Sequence, residues 1–191
     1  LRQVYLLTGY DWRSYDFNPD ISGFNRNSTG YTLALGARYD LTGILFADAF
    51  AGYREQDYDD PRLAAVRGPT GGAKLTWNVT RLTTITGSLT RDVRETILAN
   101  SSGYFATVAE LRVDHELRRF LLLDGVLSYE KDDFQGIGRT DDYYVAGISA
   151  KYLINRNLWI SPGYSYRDRS SNITGASFDE HVFLVHLSAH I

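Results

Sequence analysis

The residues in this chain that could do chemistry are few, and their spacing limits each of them. Asp114-His115-Glu116 has the composition of an acid–base or metal site. It lies in a run that alternates with period two, so Asp114 and Glu116 point one way and His115 the other. His186 and His190 do share a face of their strand, but two lone ligands are weak evidence for a metal. Asp59-Asp60, Asp141-Asp142 and His181 could combine as carboxylates and a base for hydrolysis. Loop aspartates are more often solvated turn residues. The chain has no cysteine, which excludes disulfides, thiolate metal sites and a cysteine nucleophile. No serine-centred motif is present. We therefore expect no enzyme, no cofactor and no metal.

The larger population of charges has a different pattern. The formal net charge is −3, so no global basic field points to nucleic acid. Acids and bases of similar number recur at every second position of long segments: Arg38, Asp40, Asp48, Arg54, Lys74, Asp92, Arg94, Glu110, Arg112, Asp114, Asp124, Glu130, Lys151 and Arg167. The rows between them are mostly Leu, Val, Ile, Ala, Tyr and Trp. Tyr31, Leu33, Leu35, Ala37 and Tyr39 interleave with Thr32, Ala34, Gly36, Arg38 and Asp40. Such alternation over a long segment means a strand whose two faces meet two different solvents.

The elements that must position these rows are about ten strands, near 3–15, 29–41, 44–57, 70–79, 82–96, 103–117, 120–133, 142–154, 157–169 and 180–191. Most are longer than the five or six residues usual in soluble sheets, and are long enough to cross a bilayer at a tilt. No run approaches the roughly 18 apolar residues of a membrane helix. The connections alternate. Short ones fall at Thr42-Gly43, Thr80-Arg81, Arg118-Arg119 and Asn155-Arg156, and longer polar ones at 18–28, 59–69, 99–102, 135–141 and 170–179. With 14 tyrosines in the chain, aromatic residues gather at both ends of the strands. Tyr39, Trp77, Tyr152 and Trp159 lie beside short turns; Tyr10, Trp12, Tyr53, Tyr58, Tyr129, Tyr144, Tyr164 and Tyr166 lie toward the long loops. These read as two interfacial girdles.

The charges choose the face. A Lys or Arg facing lipid at mid-bilayer costs about 2–4 kcal/mol, so the charged rows must border a wet or self-paired interior. The expected fold is all-β: a transmembrane antiparallel up-and-down barrel of about ten strands, one domain over 1–191. A soluble sandwich or lipocalin-like fold would instead bury the apolar rows and leave the charges outside. The pattern begins almost directly at Val4, which leaves room for strands upstream of Leu1. Inward glycines and Ala34, among them Gly30, Gly36, Gly52, Gly72, Gly147 and Gly163, open lumen space or accommodate large inward neighbours such as Phe46, Phe50 or Trp159.

The stretches GYTLALGARYDLTGILFADAFAGYREQDYDDPRL, LTWNVTRLTTITGSLTRDVRET and HELRRFLLLDGVLSYEKDDFQGIGRTDD, with the closing YLINRNLWISPGYSYRDRSSN, resemble the outer-membrane β-barrel family called putative β-barrel porin 2. Its specific elements are the turn phrases at Asp40–Gly43, His115–Arg119 and Leu153–Asn157, and the resemblance runs from about Tyr31 onward. It implies an outer-membrane barrel in a Gram-negative bacterium; the alternation of turns and the even strand count then put the termini and short turns in the periplasm and the long loops outside. Some members accompany exopolysaccharide export. One departure is the final Ile191, where outer-membrane strands often end in an aromatic residue.

The function expected is a porin passing solutes or polysaccharide, with Arg38, Asp48, Arg54, Lys74, Arg94, Glu110, Arg112, Asp124, Lys151 and Arg167 lining the lumen. The alternatives are a plugged structural barrel whose loops, notably 17–24, dock a partner, and an outer-membrane enzyme. Expected partners are outer-membrane lipid and lipopolysaccharide, and a polysaccharide or export complex. Insertion is directly testable: the chain should refold from urea only with detergent or lipid present, and migrate faster on SDS gels unheated than boiled. A monodisperse folded protein in plain buffer would return the apolar rows to a soluble core.

Overall fold

Alternating rows need long, regular strands, and the chain has them. The structure, a computed structural model, describes residues 2–21 and 23–190. Ten strands follow one another: β1 (Arg2–Arg13), β2 (Ser28–Thr42), β3 (Leu45–Tyr58), β4 (Val66–Thr80), β5 (Thr83–Glu95), β6 (Gly103–Arg118), β7 (Leu121–Gln135), β8 (Thr140–Leu153), β9 (Leu158–Ser171) and β10 (Phe178–Ala189). They form one antiparallel up-and-down sheet in sequence order. Among the described residues β1 pairs only with β2 and β10 only with β9, so the sheet is open at both edges. Leu1 and Ile191 lie outside the described residues.

The register keeps one row on one face across the whole sheet. Gln3 pairs with Arg38, Arg38 with Asp48, Asp48 with Lys74, Lys74 with Ser88, and Ser88 with Glu110. The line continues through Ser128, Val145 and Arg167 to Glu180. All ten expected lumen residues fall on this charged face. The opposite face exposes Leu33, Leu35, Leu127, Ile148 and Phe183, each more than half accessible. No second layer of the described residues covers that face. Its large apolar side chains therefore require an apolar surrounding medium, since burying each such side chain is worth about 1.5–3 kcal/mol.

Large and vanishing side chains tile the charged face. At one level Tyr5 lies opposite Gly36, Gly36 opposite Phe50, and Phe50 opposite Gly72. A Cβ on Gly36 would stand 2.2 Å from the Tyr5 ring, and one on Gly72 2.6 Å from the Phe50 ring. Each glycine thus lets its neighbour's ring lie flat across it, so Phe50 is accommodated as expected and Tyr5 is a further case.

Four details differ from the sequence reading. Pro69 belongs to β4 rather than a loop. It pairs with Tyr53, but β4 meets β5 only from Gly71 onward, so Pro69 sits where no ladder donor is required on that side. The connection 136–139 is as short as 154–157, because β7 and β8 stay paired to Asp133–Thr140 and Gly136 adopts φ 88° to turn the chain. Trp159, read both as a girdle residue and as a large inward neighbour, takes the inward place, with the Lys151 Nζ 4.4 Å from its ring centre, and does not join a girdle. Tyr58 also leaves the girdle, since it packs inside the sheet against a buried cluster.

Face assignment yields a direct test. Leu35→Arg should destabilise the inserted protein by about 2–4 kcal/mol, whereas Thr32→Ser on the other face should be mild. Urea titration in lipid vesicles measures both, and equal effects would reverse the assignment of the two rows.

Candidate functional site

The charged face is concave, as shown by bonds that skip a strand. The Tyr5 hydroxyl on β1 donates to Asp48 on β3 at 2.6 Å. Arg54 on β3 reaches Asp11 on β1 at 2.7 Å and Asp92 on β5 at 3.3 Å. Arg94 on β5 reaches Glu130 on β7 at 2.5 Å. Strands two apart are nearly 10 Å apart, so such pairs form only where side chains converge. Gly30 permits one of them: a Cβ there would stand 2.3 Å from Asp11 and 2.1 Å from Gln56.

The remaining expected lumen arginines join ion pairs with nearby acids, and Lys151 lies against the Trp159 ring. Arg38 binds Asp48 through Nε at 2.8 Å and Nη2 at 2.6 Å. Arg112 takes Asp124 at 2.5 Å, with Glu110 at 3.8 Å. Arg167 meets Glu180 at 3.5 Å, and Lys74 lies opposite Asp48. The Arg38, Arg112 and Arg167 side chains remain 54 %, 42 % and 53 % exposed. These are pairs bordering open space rather than a dry interior.

The residues considered for catalysis are not drawn into one site. His115 bonds Thr83, beside a short turn. Asp60 grips Arg62 through two oxygens, at 2.9 and 2.6 Å. Those bonds, with the Asn25 amide, hold the Asp60 carboxyl well below the ordinary aspartate range. Asp141 takes Arg139 and Arg169, while His181 packs on Tyr164 and Tyr166. His186 is a strand residue opposite Ser161; His190 lies past the end of β10, its backbone NH on Asn157. Four residues of strand separate the two histidines by about 13 Å, too far to share an ion.

A feature absent from the sequence reading occupies the long-loop end. Beyond Gly71 and Arg91, β4 and β5 part, while β5 and β6 remain paired to Glu95–Gly103. The outer row of this β5–β6 hairpin then packs against the inner row of β3 and β4. Val93 and Phe105 are buried with Val66, and Tyr58 joins them. Phe105 lies over Gly68, where a Cβ would stand 2.7 Å from its ring. Outer and inner rows can meet only if the hairpin is folded inside the wall. Glu95, on the same outer row, completes the pattern by pairing with inward Arg13 and accepting the Tyr15 hydroxyl.

Arg26, in the β1–β2 connection, clasps the hairpin tip. Its Nη1 donates to the carbonyls of Thr96 at 2.7 Å and Ser101 at 3.1 Å, and its Nη2 to that of Leu98 at 3.0 Å. Its Nε holds Asp20 at 2.5 Å. The planar fork thus satisfies three main-chain acceptors that the tip leaves without ladder partners. Ser101 fixes the far side by donating to the Gln135 carbonyl at 2.9 Å. Burial, then the bond to Glu95, pushes the Tyr15 phenol up. Arg91 and Glu95 do put charges in the outer row of β5, but Glu55, Asp57 and Arg67 do the same on β3 and β4, so this signal does not single out the hairpin.

The family model described as Putative beta-barrel porin 2 matches residues 2–191. No curated protein matches the chain.

The hairpin's dependence on Arg26 can be measured. Arg26→Ala removes its bonds to Asp20 and to the Thr96, Leu98 and Ser101 carbonyls, and at about 1–3 kcal/mol for each buried acceptor left unsatisfied should cost at least that much. Amide exchange should accelerate across residues 93–106 while the middles of β7–β9 stay protected. Arg67→Ala, which removes exposed pairs to Glu55 and Asp57, should leave exchange unchanged. Equal protection of the hairpin in both variants would remove Arg26 from this role.

Proposed function

Because the chain belongs to the Putative beta-barrel porin 2 family, we propose that it acts as a channel in the outer membrane of a Gram-negative bacterium, passing solutes passively. The observation that carries this reading is the charged concave face, whose ion pairs stay about half-exposed on β2, β6 and β9. Mixed charges bordering water create a transverse field that sorts small ions and polar solutes. The apolar row would face outer-membrane lipid, including lipopolysaccharide. The short turns and termini would lie in the periplasm and the long loops outside. The folded hairpin would then narrow the external mouth. Arg38, Asp48, Arg54, Lys74, Arg94, Glu110, Arg112, Asp124, Lys151 and Arg167 would line the path. Polysaccharide as cargo, and an export complex as partner, belong to the same reading and have their support in the family resemblance. We assign no catalytic role.

The hairpin gives specific support to a second reading, a plugged barrel whose joined loops dock a partner. One quadruple variant separates the two. With Arg38, Lys74, Arg112 and Lys151 all changed to Gln, a channel should shift its reversal potential toward cations in planar bilayers. A plugged barrel should instead lose stability, seen by heat-modifiability, with no conductance before or after the change.

A further inference from the structure

A cavity of about 830 Å³ opens at the long-loop end beside the folded hairpin. Its walls come from the β1–β2 connection, the hairpin and the ends of β7, β8 and β9. That volume suits a small organic molecule. Its arginines are already committed: Arg26 to Asp20, Arg139 and Arg169 both to Asp141 at 2.8 and 2.7 Å. Arg94, the cation nearest the β7 carboxylates, is taken by Glu130 at 2.5 Å. An anionic ligand therefore finds no free basic partner.

The acidic side differs. Asp132, on β7, lines the cavity and is 4 % exposed, yet its Oδ1 has no hydrogen-bond partner. It lies directly across the ladder from Asp141 and two residues from Glu130 on the same row; both acids repel it, and the attraction of nearby Arg94 offsets them only in part. Buried carboxylates are ordinarily paired. The wall around it is aromatic, with Tyr15, Tyr104, Phe134 and Tyr143. Two of these rings already receive cations: Arg139 stands 5.0 Å from the Phe134 centre and Arg169 5.4 Å from that of Tyr143. Faces of this kind attract organic cations. Among the described residues no group of three or more acids or histidines is arranged to hold a metal.

We propose that this cavity binds an organic cation bearing a primary ammonium group, with Asp132 as its counter-ion and the surrounding rings as its walls. The proposal goes beyond conduction and places a solute-selective station at the mouth of the proposed channel.

Calorimetry on the full chain folded in detergent tests it with cadaverine, a diammonium, against glutarate, a dicarboxylate of equal length, and neutral glucose. Cadaverine should bind, glutarate and glucose should not, and added salt should weaken the cadaverine signal. Asp132→Asn should raise the cadaverine Kd tenfold or more. No cadaverine binding, a preference for glutarate or glucose, or an unchanged Kd in the variant would overturn the assignment. If Asp132→Asn gives no heat-modifiable band, Asp132→Glu replaces it and should bind cadaverine within a few-fold of the parent chain; loss of binding in that folded variant would also overturn it. Calorimetry needs no conductance. A barrel that binds cadaverine but does not conduct therefore rejects the channel alone, and one that conducts without binding rejects only this site.

Discussion

Everything in this protein depends on register. Side chains alternate with period two, so a slip of one residue between any two strands would turn a whole charged row toward the apolar medium. At about 2–4 kcal/mol for each Lys or Arg so exposed, a single slipped strand would outweigh much of a domain's net stability. The chain keeps its irregularities away from that risk. The pairing shifts between Asp40 and Thr42, Asn78 and Thr80, and Glu116 and Arg118 all sit at the short-turn ends. The middles of the strands run without a step from Gln3 to Glu180.

Where the two-solvent rule lapses, ordinary packing takes over. Most of the buried residues lie at the long-loop end: Phe24, Leu63, Val66, Val93, Phe105, Phe134 and, among polar groups, Gln56, Asp60, Ser101, Ser102 and Asp141. That end has a small core of the kind a soluble protein makes, with most of its polar groups bonded internally and a few, Gln56 Oε1 and Asp132 Oδ1 among them, left unmatched. The first connection does most of the joining. Its Asn25 and Asn27 bond the Asp60 and Asp59 region of the second, and its Arg26 holds the third. Three loops thereby become one lid, and the rest of the sheet remains a single layer.

Much of this was legible in the sequence, because strand length and alternation are local. The spans expected near 103–117 and 44–57 fall within a residue of β6 and β3. The charged row was readable for the same reason: Arg38, Lys74 and Arg112 each alternate with apolar neighbours that settle their side. What escaped is non-local. Nothing around Phe105 announces that its ring will rest on Gly68, thirty-seven positions earlier. Asp132 looked like one more acid in Glu130-Lys131-Asp132-Asp133, and only the fold shows its Oδ1 enclosed and unmatched. Trp159 carries two readings, girdle residue and inward ring, because proximity to a turn says nothing about parity; its contact with Lys151 decides for the inward one.

The outer row of β6 changes its requirements partway along, although its sequence periodicity does not. At Leu111, nearly half exposed on the apolar face, any residue of similar hydrophobicity can be exchanged, because a fluid surrounding adapts to its outline. Three positions of the same row further along, Phe105 fills a fixed space between Val66, Val93 and Gly68, and there outline matters as much as hydrophobicity. Descendants of this sequence should therefore drift freely among Leu, Ile, Val and Phe at the first position and hold nearly still at the second. Variability along one strand would then mark the height at which its neighbour ceases to be lipid.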